Sequence, residues 1–283
     1  MSVISEFRFT KPDGFTFGEM INARGQKIRT GHIDAPNSRG TILLLTGLSE
    51  FTEKYYETIR DLLARGFSVR TFDWISQGGS ERTLPDQPHK IHVTDFAHYL
   101  DDLKQYIAEY LSQEQFYIMA HSMGGHLTLR HLTDGHDHPN VIGAILSAPM
   151  LNIKILTGMM ARAAKWPIFL AHLQSDVTSY TIGGKDWAAD TYRATEKLRY
   201  SSDPVRDRLQ NEFLLAHENL RVGNQTNGWL LAALNSLETM TKNLVETGLQ
   251  TPTVVCLPTD DFIISTPDSK NLLVNTPNEH LHV

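Results

Sequence analysis

Residues 117–125, YIMAHSMGG, constrain the fold more than any other stretch of the 283-residue chain. An apolar run from Tyr117 to Ala120 passes through His121 and Ser122 into Met123, Gly124 and Gly125. A strand that turns into a helix at a serine, with small residues two positions before and two after it, fits a corner whose strained backbone angles leave no room for larger neighbours. Such a corner lifts the serine hydroxyl clear of the sheet. It also points the Met123 amide, at the start of the helix, toward any negative charge that develops beside that hydroxyl. A short glycine-containing pattern alone says little, and its place between an apolar strand and a helix is what gives it weight.

The surrounding chain alternates strand and helix. GTILLLTGL, residues 40–48, is an apolar run bounded by glycines, as expected of a strand buried on both faces. An amphipathic helix from Glu53 to Ala64 ends at Arg65-Gly66, where glycine supplies a C-cap. A second strand spans Phe67 to Trp74. Thr94 is expected to cap a long helix with Phe96, Leu100, Leu103 and Ile107 on one face. Strands at Phe116–Ala120 and Val141–Leu146 flank a helix through Leu127–Leu132. This alternation predicts a mostly parallel, doubly wound sheet. It stops after Pro149; residues 151–245 have helical texture, and a strand resumes only at Thr251 to Leu257. The predicted organisation is a core from 1–150, a helical cap or lid from 151–245, and the rest of the core from 246–283. The cap would lie over the carboxyl edge of the sheet, where open α/β sheets bind ligands.

Bulk properties narrow the function. Net charge is −6 and the pI about 6.1, which argues against a nucleic-acid partner. One cysteine, Cys256, excludes a disulfide framework. It sits inside a strand with no partner that would make it a thiolate. No basic segment leading into an apolar one opens the chain, and no apolar run reaches the ~20 residues needed to cross a bilayer. A cytoplasmic location is expected.

A second amide donor is expected from the loop Thr46-Gly47-Leu48-Ser49-Glu50, which follows the LLL strand; Gly47 lets the backbone turn close to the site and the Leu48 amide is the donor. Four stretches then carry a resemblance. TGLSEFTEKYYE, FDWISQGGSER, AHSMGG and LSAPML resemble the oxyanion loop, the Asp-x-x-Gly-x-Gly-x-Ser turn, the nucleophile elbow and the following strand end of the α/β-hydrolase superfamily. Within it the chain is similar to the monoacylglycerol lipase and lysophospholipase branch, of serine aminopeptidase S33 type. SSDPVRDR and NGWLLAALNS in the cap fit the same branch. Thr46 stands where the family has histidine, Ser76 where it has glycine, and Ala120 where the elbow has its first glycine; none of these removes a reacting group.

A serine hydroxyl needs a base, and the base needs an orienting carboxylate, in the order Ser, Asp or Glu, His for this fold. The turn Pro258-Thr-Asp-Asp261 follows a strand at its carboxyl end, and alignment to the family turn makes Asp261 the acid and Asp260 its neighbour. A helix from about Pro267 to Val274, a turn at 275–278 and the start of a strand at His280–Val283 then complete the chain. A helix, a strand and their loops need about 25 residues after the acid, and 22 remain. His280 and His282 therefore fall at the wrong end of the strand, and the triad histidine is expected beyond Val283, as in a truncated chain. His121 must point away from the serine, and His89 and His92 lie in a loop before a helix. His136 and His138 read as a polar turn before Pro139 rather than a metal pair.

Leu151 to Ser175 contains no acidic residue, and Lys154, Arg162 and Lys165 are interleaved with Met159, Met160, Trp166 and Phe169. This segment is expected to wall the acyl pocket and to touch anionic lipid on the inner face of the membrane. The resulting expectation is a serine ester hydrolase that cleaves single-chain acyl lipids through an acyl-enzyme, without metal or organic cofactor, on a small-molecule substrate. An aminopeptidase is the enzymatic alternative and would need an acidic group to hold a free amine, for which Glu212 and Glu218 are the candidates. A non-catalytic ligand-binding protein lacking the histidine is the alternative from another class.

Overall fold

The computed structural model describes residues 2–136, 138–154, 166–189, 201–277 and 281–283; within Trp166–Leu170 it describes the backbone only. Eight strands form one sheet: β1 Thr16–Ile21, β2 Lys27–Ile33, β3 Thr41–Leu45, β4 Ser68–Phe72, β5 Phe116–His121, β6 Val141–Ser147, β7 Thr253–Cys256 and β8 Leu281–His282. Helices are α1 Tyr56–Ala64, α2 Ala97–Tyr110, α3 Met123–Leu132, α4 Trp166–Ser175, α5 Pro204–Ala216, α6 Asn227–Glu246 and α7 Thr266–Val274.

All five residues of β3, TILLL, are buried, because helices cover both faces of a parallel sheet. The sheet order is β1-β2-β4-β3-β5-β6-β7-β8, parallel from β4 to β8, with β1 and β2 joined antiparallel at one edge. After β3 the chain first builds outward to β4 and then returns to place β5 on the other side of β3. The crevice outside the carboxyl ends of β3 and β5 is thus the topological switch point, the place where such sheets bind ligands.

The expected mostly parallel sheet is what the chain forms. The β1–β2 hairpin is an addition that sequence patterning did not reveal. Only Met20 of β1 is buried, so the strand shows no apolar alternation to read. Thr94 does not cap α2. That helix begins two residues later than a Thr94 cap requires, and Asp95 Oδ1 accepts the Ala97 amide at 2.8 Å instead. At α1 the glycine reading holds: Gly66 has φ +82° and its amide reaches the Leu63 carbonyl at 2.9 Å.

Within the segment expected to form the lid, α6 lies along α3. Its Ser236 Oγ meets His126 Nε2 at 2.7 Å and accepts from Arg130 Nη1 at 2.7 Å, and Asn243 Nδ2 donates to the Thr133 carbonyl at 2.9 Å. Trp229 joins the central aromatic cluster, 5.3 Å from Phe96. Leu173 of α4 is fully buried in the same core. Burial keeps His126 neutral, its pKa pushed down to about 3, with Arg130 adding to the effect. The imidazole thereby links α3, α6 and the Met150 carbonyl without carrying charge.

Candidate active site

Ser122 occupies the corner between β5 and α3 with φ +50° and ψ −114°, a conformation that costs on the order of 1–3 kcal/mol in a non-glycine residue. The corner is held from three sides. Its amide donates to the Ser147 carbonyl at 3.1 Å, and its carbonyl accepts the His126 and Met150 amides, each at 3.0 Å. The glycines behind it are there for close approach. A Cβ on Gly124 would lie 2.7 Å from the Thr46 carbonyl oxygen and 2.8 Å from that of Leu45, and one on Gly125 would lie 2.8 Å from Pro149 Cβ. These contacts press the first turn of α3 against the loop after β3. Ser122 is half-buried, and its Oγ makes no hydrogen bond among the described residues. The Leu48 and Met123 amides likewise have no acceptor among the described residues.

Strain is concentrated along this edge. Ser49, Ser76, Ser122 and Ala148 all have positive φ, at 63°, 70°, 50° and 45°, and they follow β3, β4, β5 and β6 in turn. Four consecutive strands of the parallel sheet therefore each leave their carboxyl end through a left-handed non-glycine residue. Strained backbone of this kind persists where surrounding contacts over-determine it, and it clusters at functional sites.

Glu50 is what over-determines the loop after β3, a role that the sequence reading did not assign. The carboxylate is buried. Oε2 accepts the Gly47 amide at 2.6 Å and the Tyr55 hydroxyl at 2.5 Å and lies 3.1 Å from His121 Nδ1, while Oε1 pairs with Lys54 at 2.5 Å. Burial opposes its charge, but Lys54 and His121 outweigh burial and hold the carboxyl well below its ordinary range. Burial and the neighbouring Glu50 charge push the Tyr55 hydroxyl well above its ordinary pKa, so it remains a donor. Gln77 closes the loop from the other side, donating to the Gly47 and Glu50 carbonyls at 2.8 and 3.2 Å and accepting the Ser49 amide at 3.2 Å. Trp74 Nε1 donates to the Thr46 carbonyl at 2.8 Å. Thr46, lacking the ring of the family histidine, leaves its own hydroxyl without a hydrogen-bond partner among the described residues. The only hint of the Glu50 role in the sequence was its place in the TGLSE motif.

The FDWISQGGSER turn is a scaffold for the same loop. Asp73, fully buried, accepts the Thr52 amide and hydroxyl, both at 2.9 Å, the Gly79 amide at 2.7 Å and Arg29 Nε at 2.8 Å. Arg29 also makes a bidentate pair with Glu53 at 2.6 and 2.7 Å. Burial opposes the guanidinium charge, but Asp73 and Glu53 hold it on.

Asp261 lies in the loop after β7. The ends of β5, β6 and β7 are tied level, with His121 beside Ser147, Ser147 beside Cys256, and the Ala148 amide donating to the Cys256 carbonyl at 2.8 Å. Ser122 and Asp261 thus occupy one edge of the sheet. Asp261 Oδ1 accepts the Ile263 and Ile264 amides at 2.7 and 3.0 Å, and Lys154 Nζ donates to its carbonyl at 2.9 Å. Asp260 is exposed. Among the described residues no histidine ring bonds to the side chain of either Ser122 or Asp261. His282 pairs with Val254, two residues short of the level of Ser147 and His121, so it sits toward the amino end of the sheet. His280 is outside the described residues. His121 faces Glu50, and His92 Nδ1 contacts Thr226 Oγ1 at 2.8 Å. Met159 and Met160 are outside the described residues. Trp166 and Phe169 lie on the backbone of α4, and their side chains are outside the described part.

A cleft of about 320 Å³ opens beside this edge, lined by Glu50, Lys54, His121, Ser147, Arg206 and Leu209. A family model described as serine aminopeptidase, S33, matches residues 36–283. The chain belongs to that family. The S33 chain is 33% identical over 222 residues to lysophospholipase L2 of Escherichia coli (strain K12), covering 76% of this chain and 61% of that protein. It is 24% identical over 237 residues to the monoglyceride lipase of Saccharomyces cerevisiae, covering 78% and 68%. The chain therefore spans about three-fifths of the length of lysophospholipase L2. Among solved structures, a soluble variant of the S. cerevisiae monoglyceride lipase superposes with a TM-score of 0.68 at 19% identity, covering 96% of this chain and 85% of that one. An alpha/beta hydrolase from Novosphingobium aromaticivorans gives a TM-score of 0.61 at 13% identity, covering 95% and 89%. The S33 chain has the α/β-hydrolase fold. No helix among its described residues is long and apolar enough to cross a membrane.

Proposed function

We propose that the chain carries the nucleophile and oxyanion site of a serine ester hydrolase acting on single-chain acyl lipids, either lysophospholipids or monoacylglycerols. Ser122 Oγ attacks the ester carbonyl, and the Leu48 and Met123 amides stabilise the tetrahedral oxyanion. Asp261 orients the histidine that serves as the base. That histidine takes the serine proton and delivers it to the leaving alcohol. Water then attacks the acyl-enzyme by the same route and releases the fatty acid. The observation that supports the reading is the strained Ser122 corner at the switch point, together with the Leu48 and Met123 amides that have no acceptor among the described residues. The names of the relatives, a lysophospholipase and a monoglyceride lipase, support the substrate class.

The aminopeptidase reading loses its two candidate amine-binding groups. Glu212 accepts the Ser2 hydroxyl and the Val3 amide, both at 2.5 Å, and the Glu218 side chain is 88% exposed beside Arg221. A fluorophosphonate probe on the protein tests the proposal and separates it from a non-catalytic binder. Labelling and ester turnover are expected in the parent and absent from Ser122→Ala, with the fold preserved. Turnover retained by Ser122→Ala would refute the assignment.

A further inference from the structure

At the opposite edge of the sheet, α3 ends beside the loop that enters β6, and three ligand-type side chains converge there. His131, Asp134 and His138 each offer a ring nitrogen or carboxylate oxygen, and these atoms all lie within 4.8 Å of one another. His138 Nε2 is 3.1 Å from Asp134 Oδ1, and the two imidazole rings are 4.0 Å apart. His131 is 3% exposed, yet neither of its ring nitrogens has a hydrogen-bond partner among the described residues. A buried imidazole with both nitrogens unpaired is costly unless something else meets them. A cavity of about 450 Å³ opens onto the group, lined also by Lys104, Ile107 and Pro139.

We propose that His131, Asp134 and His138 form a binding site for a borderline divalent transition cation, zinc being the best fit, remote from the ester chemistry. Two imidazoles and one carboxylate are a donor set that zinc accepts, whereas magnesium and calcium need mostly oxygen ligands. Tetrahedral coordination at about 2.1 Å requires donor atoms roughly 3.4 Å apart; His138 and Asp134 already stand at 3.1 Å, and no donor pair has to close by more than about 1.4 Å. Solvent in the cavity supplies the remaining ligand position.

Lys104 is the group that the ion must contend with. Its Nζ lies 2.7 Å from Asp134 Oδ2, but the side chain is 44% exposed and can swing outward once Asp134 turns to the metal. The site would tie the carboxyl end of α3 to the loop before β6. The ten residues of α3 at ~1.5 Å each place it roughly 15 Å from Ser122.

The test uses the full chain stripped of metal. Zinc is titrated by calorimetry, cobalt by its visible ligand-field bands, and magnesium serves as the control. One equivalent of zinc and a tetrahedral cobalt spectrum are expected, with no response to magnesium. His138→Gln should weaken zinc at least tenfold and abolish the cobalt bands, while Lys104→Gln should tighten zinc severalfold by removing a competing cation. At a hundredfold excess of zinc over Kd the parent should melt roughly 4–8 °C higher, and His138→Gln should not. His138 is at the cavity rather than in the core, and circular dichroism of the apo forms checks that the variant folds. Zinc affinity unchanged in both His138→Gln and Asp134→Asn, or cobalt bands that survive them, overturns the proposal.

Discussion

Replacing Glu50 with glutamine isolates the anchor of the oxyanion loop. The wild-type carboxylate accepts from Gly47, Tyr55 and His121 on one oxygen and from Lys54 on the other. Glutamine has one acceptor oxygen and an NH₂ group. If the oxygen faces Gly47 and Tyr55, the NH₂ faces the Lys54 ammonium; if it faces Lys54, the NH₂ faces the Gly47 amide. Either way a buried donor loses its acceptor, which costs about 1–3 kcal/mol. Removing one member of a buried ion pair costs about 3–5 kcal/mol, and Lys54 at 21% exposure recovers part of that through solvent. His121, at 38% exposure, adds little. The expected loss is about 3–4 kcal/mol, or roughly 5–7 °C in melting temperature for a chain of this size.

The sign with pH follows from the lowered carboxyl pKa. Stability contributed by Glu50 is fully present above the unfolded value near ~4.3 and is lost only as pH falls through the folded value below it. The gap between parent and Glu50→Gln should therefore stay level from neutral pH down to about 5 and narrow only in stronger acid. Urea denaturation across pH, run beside ester turnover, measures both. A melting temperature within about 2 °C of the parent, with turnover intact, would show that the loop does not depend on this charge.

Further outcomes follow from the same geometry. Ser122→Gly relieves the positive φ and should stabilise the fold by about 1 kcal/mol while abolishing turnover, as read by denaturation and fluorophosphonate labelling; a loss of stability would place the strain elsewhere. Gly124→Ala drives a methyl into the Thr46 and Leu45 carbonyls, neither of which is a flexible side chain, and should cost about 1–3 kcal/mol and most of the turnover. Burial raises the Asp102 pKa to about 6 against the pull of Arg24 and Asn22, so the folded state holds a proton that the unfolded chain gives up near pH ~4. Stability should fall by up to about 2–3 kcal/mol between pH 4 and 6, and Asp102→Asn should flatten that slope in urea titrations. Vesicles of anionic lipid should bind the protein and raise its esterase rate if the segment around Trp166 meets the membrane; no effect on either would discard that role.

The amino-acid order by itself determined the parts whose physics is local. A strand as apolar as TILLL has to be covered on both faces, and the small residues around Ser122 are required wherever a corner brings backbone against backbone. Counting residues after Asp261 was enough to place His282 toward the amino end of its strand, because helix and strand rises are fixed. The β1–β2 hairpin escaped notice since a strand with one buried residue carries no periodic signal. What only the tertiary structure decided are the meetings of distant groups. Glu50 is an ordinary exposed-type residue until Tyr55, Lys54, His121 and the Gly47 amide converge on it, and Asp73 gains its role only when Arg29 arrives from β2. His136 and His138 read as a polar turn in the sequence, and only packing of the end of α3 against the loop into β6 brings His131 and Asp134 to within 4.8 Å of His138. Backbone sterics act between neighbours and are written in the chain, whereas the environment of a buried charge is assembled from several elements and exists only once they have packed.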